Sequence, residues 1–367
     1  MINQTNVNKV DASQKYGIES RSDTKLKKAV SLEGFVCLAI LTGFFAILGS
    51  KMGLINAINT LLNTAYDLLM NTVFQIMAIA VIAGAIASIL TEFGVISLVN
   101  KLLSPLMKPL YGLPGASIIS IFTTYLSDNP AVLTLAEDKR FRRYFKKYQL
   151  PALTNIGTSF GMGLIVTIYM MGLSNSSGEN FILAAIIGNI GAIIGSIVSV
   201  RLMLLHTKKI YGTELEAEES STTDYDIVEY REIREGNVAE RIMDTILEGG
   251  ASGVKVGFAI IPGVLIICSI VMILSNAAPE TGVYTGAAYE GVNFFPWIGE
   301  KISFITTPLF GFTSAAAISV PITALGAAGA AIGLASTMVN NGLAHANDVA
   351  VFTAMCMCWS GYLSTHV

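Results

Sequence analysis

The sequence predicts an all-α polytopic membrane protein made of inverted-topology repeats, each with a re-entrant helical hairpin. Three observations carry that prediction. Hydrophobic residues make up 53% of the 367 residues, charged residues 13%, and mean hydropathy is +0.61, too apolar and charge-poor for a water-soluble domain. Apolar runs of spanning length recur along the chain, separated by short polar segments. The chain also matches itself at a shift of 199 residues.

Residues 1–30 are polar, carry Lys25, Lys27 and Lys28, and lack a small-residue cleavage site, so they are read as a cytoplasmic N-terminal tail and not a cleaved signal. Residues 31–205 form the first membrane repeat. Its first span covers residues 34–49. In residues 54–70, Leu54, Ile58, Leu61, Leu62, Ala65, Leu68 and Leu69 share one helical face, with Asn56, Asn59, Asn63 and Asp67 elsewhere. That pattern predicts an amphipathic helix lying at the interface or against other helices. A second span is expected from residue 73 to about residue 99.

Two short apolar runs follow, separated by Ser127, Asp128, Asn129 and Pro130. Neither is long enough to cross a bilayer. Broken backbone at membrane depth survives only where protein or a water-filled cavity surrounds it, so residues 114–138 are read as a re-entrant hairpin. Residues 139–147, KRFRRYFKK, hold six bases and are assigned to the cytoplasm by the positive-inside rule. Residues 150–173 then span outward and residues 181–205 span back, the latter with Gly188, Gly191, Gly195 and Ser196 suited to close helix contact.

Residues 206–239 are soluble and mainly acidic between Glu214 and Glu235, and are read as a solvated cytoplasmic linker. Residues 240–367 form the second repeat. It contains an amphipathic stretch (242–256), a span (258–274), an external segment bearing Glu280, Glu290 and Glu300 without Lys or Arg (275–300), a hairpin at about 313–341, and a last span from residue 349.

The 199-residue shift places Pro109-Leu110-Tyr111-Gly112 on Pro308-Leu309-Phe310-Gly311, and ten of the 27 residues from 109 to 135 are identical to their partners. Such self-similarity is the mark of an internal duplication. Counting spans from a cytoplasmic N-terminus sends the first hairpin in from the cytoplasm and the second from outside, the inverted arrangement used by many secondary transporters. The counterpart of residues 181–205 would begin beyond Val367, so the second copy is expected to lack its last helix, with a shortened chain favoured over a partner-supplied helix or broken symmetry.

Chemistry is sought at the breaks. Asp128 is the acidic residue of the first break, and a charge near a bilayer centre costs about 2.5 to 3.5 kcal/mol, which makes it a candidate for solute or ion binding. The competing role is local: Ser127 or Asp128 caps the following half-helix ahead of Pro130. Candidate binding residues are Ser127, Asp128, Asn129, Thr154, Asn155, Thr158 and Ser159 in the first copy, and Thr323, Ser336, Asn340 and Thr353 in the second. Isolated Ser and Thr on such helices also bond backbone carbonyls or neighbouring helices.

Gly157-Thr158-Ser159-Phe160-Gly161 fits the nucleophile pattern G-x-S-x-G, but no strand precedes it and His206, His345 and His366 are placed away from it, so small residues for helix packing are preferred and no catalytic residue is assigned. Cys37, Cys268, Cys356 and Cys358 all lie in apolar runs, which argues for packing over disulfides or a zinc site. There is no phosphate-binding G-x-x-x-x-G-K-[ST] loop. No cofactor or metal is therefore expected, and energy, if used, is expected from an ion gradient, Na⁺ or H⁺, or from an external partner.

At PLYGLPGA (residues 109–116) and PLFGFTSA (residues 308–315) the sequence resembles the Gate domain family, the nucleoside-recognition-domain membrane proteins related to concentrative nucleoside transporters, ferrous-iron transporters and spore-maturation proteins. The likeness covers about residues 55–205 and 240–367 and is similar to a fusion of two inner-membrane Gate proteins. It implies a multi-pass protein of the cell inner membrane that moves a small polar, nucleoside-like solute past the hairpin tips, with elevator-type motion, and that forms a homo-oligomer without a nucleic-acid partner; the alternatives left open are a transporter of amino acids or short peptides and a non-transporting membrane assembly or regulatory subunit. Carried onto this chain, the site falls at Ser127 to Asn129 and Asn155 to Ser159. At the second tip Ala327, Ala328 and Gly329 replace Asp128, Asn129 and Pro130, so that tip lacks the charge.

Overall fold

The computed structural model describes residues 28–127, 131–175, 177–218, 226–326 and 328–359. In chain order the helices are α1 (Leu32–Met52), α2 (Leu54–Asp67), α3 (Phe74–Glu92), α4 (Val95–Tyr111), α5 (Ser117–Leu126), α6 (Ala131–Glu137), α7 (Lys139–Arg142), α8 (Ala152–Phe160), α9 (Gly163–Met171), α10 (Ile182–Tyr211), α11 (Val238–Pro262), α12 (Ser269–Ser275), α13 (Phe294–Phe310), α14 (Ser319–Gly326), α15 (Ala328–Asn340) and α16 (Ala346–Trp359). No strand occurs among the described residues, and at least five helices are long and apolar enough to cross a membrane. The chain is an all-α, multi-pass membrane protein.

Two corrections to the expected boundaries have one cause. The amphipathic stretch from residue 54 and the span after it are a single 39-residue helix, Leu54–Glu92, joined through a π-turn at Leu68–Val73. Likewise α11 and α12 are one 38-residue helix, Val238–Ser275, with its π-turn at Gly263–Cys268. A π-turn inserts one residue into the helical repeat, so the apolar face changes register there while the backbone continues. The first of these helices stops at Glu92 rather than near Val99, because Gly94 takes a left-handed turn (φ +78°) that redirects the chain into α4.

The two long helices run antiparallel through the centre. Glu92 lies beside Arg241, Gly84 beside Gly249, Ala80 beside Gly253 and Met77 beside Gly257. Glycines make this approach feasible, since a Cβ on Gly84 would sit 2.4 Å from the carbonyl oxygen of Gly249. Without water to drive apolar surfaces together, helices in a membrane associate by such close packing. Alanines fill much of the surrounding core, and Ala80, Ala83, Ala330 and Ala331 are all buried.

Elements recur at the 199-residue spacing. α4 and α13 have corresponding ends, and each is closed by a glycine in the left-handed region, Gly112 (φ 72°) and Gly311 (φ 67°). After each of these helices the chain turns sharply into a hairpin, α5 against α6 and α14 against α15; the bend from α13 to the second hairpin is 79°. α8 and α16 follow and pack together, and there the thiol of Cys358 lies 3.8 Å from the carbonyl oxygen of Ser159, its own counterpart at the 199-residue spacing.

The span expected over residues 150–173 is discontinuous. The break falls at Gly161 (ψ 132°) and Met162 (φ 53°), leaving α8 and α9 as two nine-residue half-helices. Its position is set by packing. Tyr125 of α5 lies against Gly163, where a Cβ would meet the ring at 2.1 Å, and the Tyr125 hydroxyl is held by Thr167 (3.0 Å) and Asn189 (3.1 Å).

The expected external segment after α12 is clasped onto α2. Asn56 and Asn63 donate to the carbonyls of Tyr284 and Gly286 at 2.9 and 2.8 Å, Thr64 accepts from the Tyr289 N–H at 2.9 Å, and Asp67 accepts from the Tyr289 hydroxyl. The polar side of the amphipathic stretch thus serves a loop rather than the bilayer surface. Within that loop the buried Glu290 carboxylate takes the N–H groups of Thr285 and Gly286 at 3.0 Å each. Burial pushes its pKa up, but these N–H groups and the Thr285 hydroxyl outweigh it and hold the carboxyl below the usual range.

A candidate solute cleft at the first hairpin

At the linker end of the molecule a cleft of about 550 Å³ opens between α3, α4, α5 and α11. The volume lies within the range of small-molecule sites. The cleft extends along α3 from Glu92 to Gly84, a depth of about 12 Å at 1.5 Å per residue. Its inner wall is the end of the first hairpin, where Thr123, Leu126 and Ser127 face it. Its mouth is bordered by Arg231, Glu232 and Arg234 from the linker.

That linker is not simply solvated. Glu92 is 5% exposed, and its carboxylate receives Arg234 at 2.8 Å and Arg241 at 2.7 Å. A carboxylate buried alone is costly, and two guanidiniums with hydrogen bonds to both oxygens offset that cost. Arg234 also pairs with Glu248, and this bond, opposed by partial burial, pushes its guanidinium pKa higher still. The capping box at Asn237, which exchanges bonds with Glu240 at 2.9 and 3.0 Å, starts α11 directly after this cluster and fixes the approach of the linker. On the other side of the linker, Arg142 donates to the carbonyl of Ala217 at 3.1 Å and Tyr144 to Asp226, so the basic segment and the linker lie at one end.

The cleft differs from the helices around it in how its polar groups are satisfied. Ser88, Ser97, Thr123 and Ser252 line it and make no hydrogen bond to another described residue. Asn100 also lines it, and its Oδ1 is buried without a donor among the described residues. Partly buried polar groups of this kind are free to bond a solute or water that enters the cleft.

The residues singled out from the sequence are distributed differently. Ser127 is exposed and lines the cleft, whereas Asp128 and Asn129 lie outside the described residues. Thr154 donates to the carbonyl of Pro151 (2.7 Å), Thr158 to Thr154 (3.1 Å) and Ser159 to Asn155 (2.6 Å), all within the first turns of α8. Asn155 reaches Ser199 of α10 at 2.5 Å. In the second copy Thr323 bonds the carbonyl of Ser319 (2.8 Å) and buried Thr353 that of Val349 (2.7 Å); Ser336 is half-buried and Asn340 exposed on α15. The structure therefore brings Ser127 to the cleft, and the hydroxyls of Ser159, Thr323 and Thr353 bond carbonyls of their own helices. Ser159 in particular spends its proton on a backbone carbonyl, as expected for a packing residue.

The sequence did not single out Ser88, Glu92, Asn100 or Arg231. A lone acid closing an apolar run, and two arginines in an otherwise acidic linker, were the available signals.

A second cleft, about 500 Å³, lies at the opposite end between α12, α13 and the start of the second hairpin. It is lined by Ser275, Asn276, Tyr289 and Glu300, and Ser275 Oγ and Asn276 Nδ2 are buried there without partners among the described residues.

With this geometry in place, comparison with known proteins is specific on one point. Residues 73–205 match the family model described as Gate: Nucleoside recognition. This part of the chain, from the start of α3 through most of α10, is similar to a Gate domain, whose family is associated with nucleoside transport and related membrane transport. It contains the inner wall of the first cleft and both half-helices of the broken span. No match was found among curated proteins or among solved structures.

Proposed function

We propose that the chain is a secondary transporter of a small polar solute, which enters the linker-end cleft and binds against the end of the first hairpin. The observation that carries this reading is the set of half-buried cleft hydroxyls without a bond to another described residue, Ser88 and Thr123 above all, in a protein whose buried hydroxyls largely bond their own helices. The Gate match makes a nucleoside-like solute the first to try. Residues 240–359 act as the inverted partner of the Gate domain: the long helices are antiparallel, and each half offers one cleft, at opposite ends. Alternation between the two clefts by movement of the hairpins, coupled to Na⁺ or H⁺, gives vectorial transport.

The test is uptake by proteoliposomes of uridine, adenosine and L-alanine, with and without imposed Na⁺ and pH gradients. Saturable uptake of at least one solute is expected, and the double variant Ser88→Val, Thr123→Val should lower it by about tenfold, the effect of losing about 1.4 kcal/mol of hydrogen bonding. Absence of uptake of all three by protein that remains folded, or uptake unchanged in the double variant, overturns the reading.

A further inference from the structure

Two of the three arginines around Glu92 are neutralised by its carboxylate, and the third is not. Arg234 and Arg241 each pair with a Glu92 oxygen, and Glu232, also at the mouth, pairs with Arg140 at 3.4 Å. Arg231 instead donates Nε to the main-chain carbonyl of Glu92 at 3.3 Å, and among the described residues no carboxylate pairs with its terminal nitrogens. Its guanidinium is nevertheless placed. It lies over Gly94, whose missing side chain and left-handed backbone leave the room: a Cβ there would sit 2.4 Å from Nη1. An arginine held by its Nε at the edge of a cleft whose lining includes the hydroxyls of Ser88, Ser97 and Thr123, its terminal nitrogens unpaired with any carboxylate among the described residues, is arranged to take a planar anion by two parallel hydrogen bonds.

The second observation is Asn100. Its buried Oδ1 lacks a donor, and it lines the same cleft on the neighbouring helix α4. An acceptor left open in this way asks for an N–H or O–H on the incoming molecule.

We infer that this cleft selects solutes bearing a carboxylate or phosphate, with Arg231 binding the anion and Asn100 Oδ1 accepting a hydrogen bond from the rest of the molecule. The inference rests on the transport reading above and narrows its solute class. Lysine in place of Arg231 keeps the charge and loses the fork, so it retains only part of the preference.

Matched probes separate the charge from the scaffold. Binding of uridine, uridine 5′-monophosphate, N-acetyl-L-alaninamide and N-acetyl-L-alanine to the full chain in detergent is measured by calorimetry, with melting temperature as the control for folding. In at least one pair the anionic member should bind about tenfold or more tightly than its neutral partner. Arg231→Gln should bring the two members to equal affinity, and Arg231→Lys should fall between. Phosphate and carboxylate as the recognised group are told apart by which pair shows the preference. Equal affinities in both pairs, a preference that survives Arg231→Gln, or no binding of any probe overturns the inference. Uridine uptake that is equal in wild type and Arg231→Gln, with no anion preference, removes the anion and leaves transport standing; loss of uptake for every solute removes transport itself.

Discussion

Adding one methyl group at Gly253 tests whether the close antiparallel crossing of the two long helices holds the molecule together. A Cβ at that position would lie 2.3 Å from the carbonyl oxygen of Ala80 and 2.4 Å from its carbonyl carbon, whereas ordinary contact begins at 3.4 Å. Both atoms are backbone of a continuous helix, so no side chain can swing aside and the helices must part by about 1 Å. Overpacking of this kind costs about 1 to 3 kcal/mol, from which the better helix propensity of alanine recovers up to about 1 kcal/mol. Gly43→Ala is the matched control, because nothing lies within 4 Å of a Cβ there and only the propensity gain remains. Thermal unfolding in detergent should show Gly253→Ala melting below wild type and Gly43→Ala at or above it. Since Gly84 and Ser252 border both the crossing and the cleft, Gly253→Ala should also weaken solute binding. If Gly253→Ala melts like Gly43→Ala and binds like wild type, the crossing is not the tight contact described.

Two further outcomes follow from the geometry. Glu290 has a folded pKa below its ordinary value of 4.5, so the loop clasp contributes stability above about pH 4.5 that is lost as pH falls through the depressed value; melting temperature should drop on acidification from about pH 6 to about pH 3.5, less steeply in Glu290→Gln, and equal slopes would reject the clasp. Gly163→Val should displace Tyr125 from the break in the span, abolishing solute uptake while circular dichroism shows helix content retained; uptake at the wild-type level would show that the docking of α5 on α9 is dispensable.

The spans and the 199-residue recurrence were legible because both rest on composition and spacing, which survive without coordinates. The ends of α4 and α13 follow from Gly112 and Gly311, which stand at matching places in the two Pro-Leu-aromatic-Gly elements. The continuity of α2 with α3 was not legible, because a π-turn changes the periodicity in the same way as a new helix. Neither was the break at Gly161 and Met162: methionine rarely takes a positive φ, and only the Tyr125 ring pressed on Gly163 explains the position. Ser159 was visible as a polar residue in a membrane segment, but sequence alone does not tell a hydroxyl that faces a cavity from one that bonds its own helix. The cleft was missed because it is assembled from α3, α4, α5, α11 and the linker, whose residues are up to 168 positions apart (Gly84 to Ser252).

The break between α8 and α9 also has an electrical meaning. The carboxyl end of one half-helix, carrying about half a negative charge, faces the amino end of the next, carrying about half a positive charge. Seen from a distance the two ends nearly cancel, so an approaching ion feels little until it is within a few ångströms. The long-range field at the linker end is therefore set by whole charges such as Arg231, and the break acts on whatever reaches the Tyr125 ring only at contact range. Guidance and recognition are thereby assigned to different parts of the same chain.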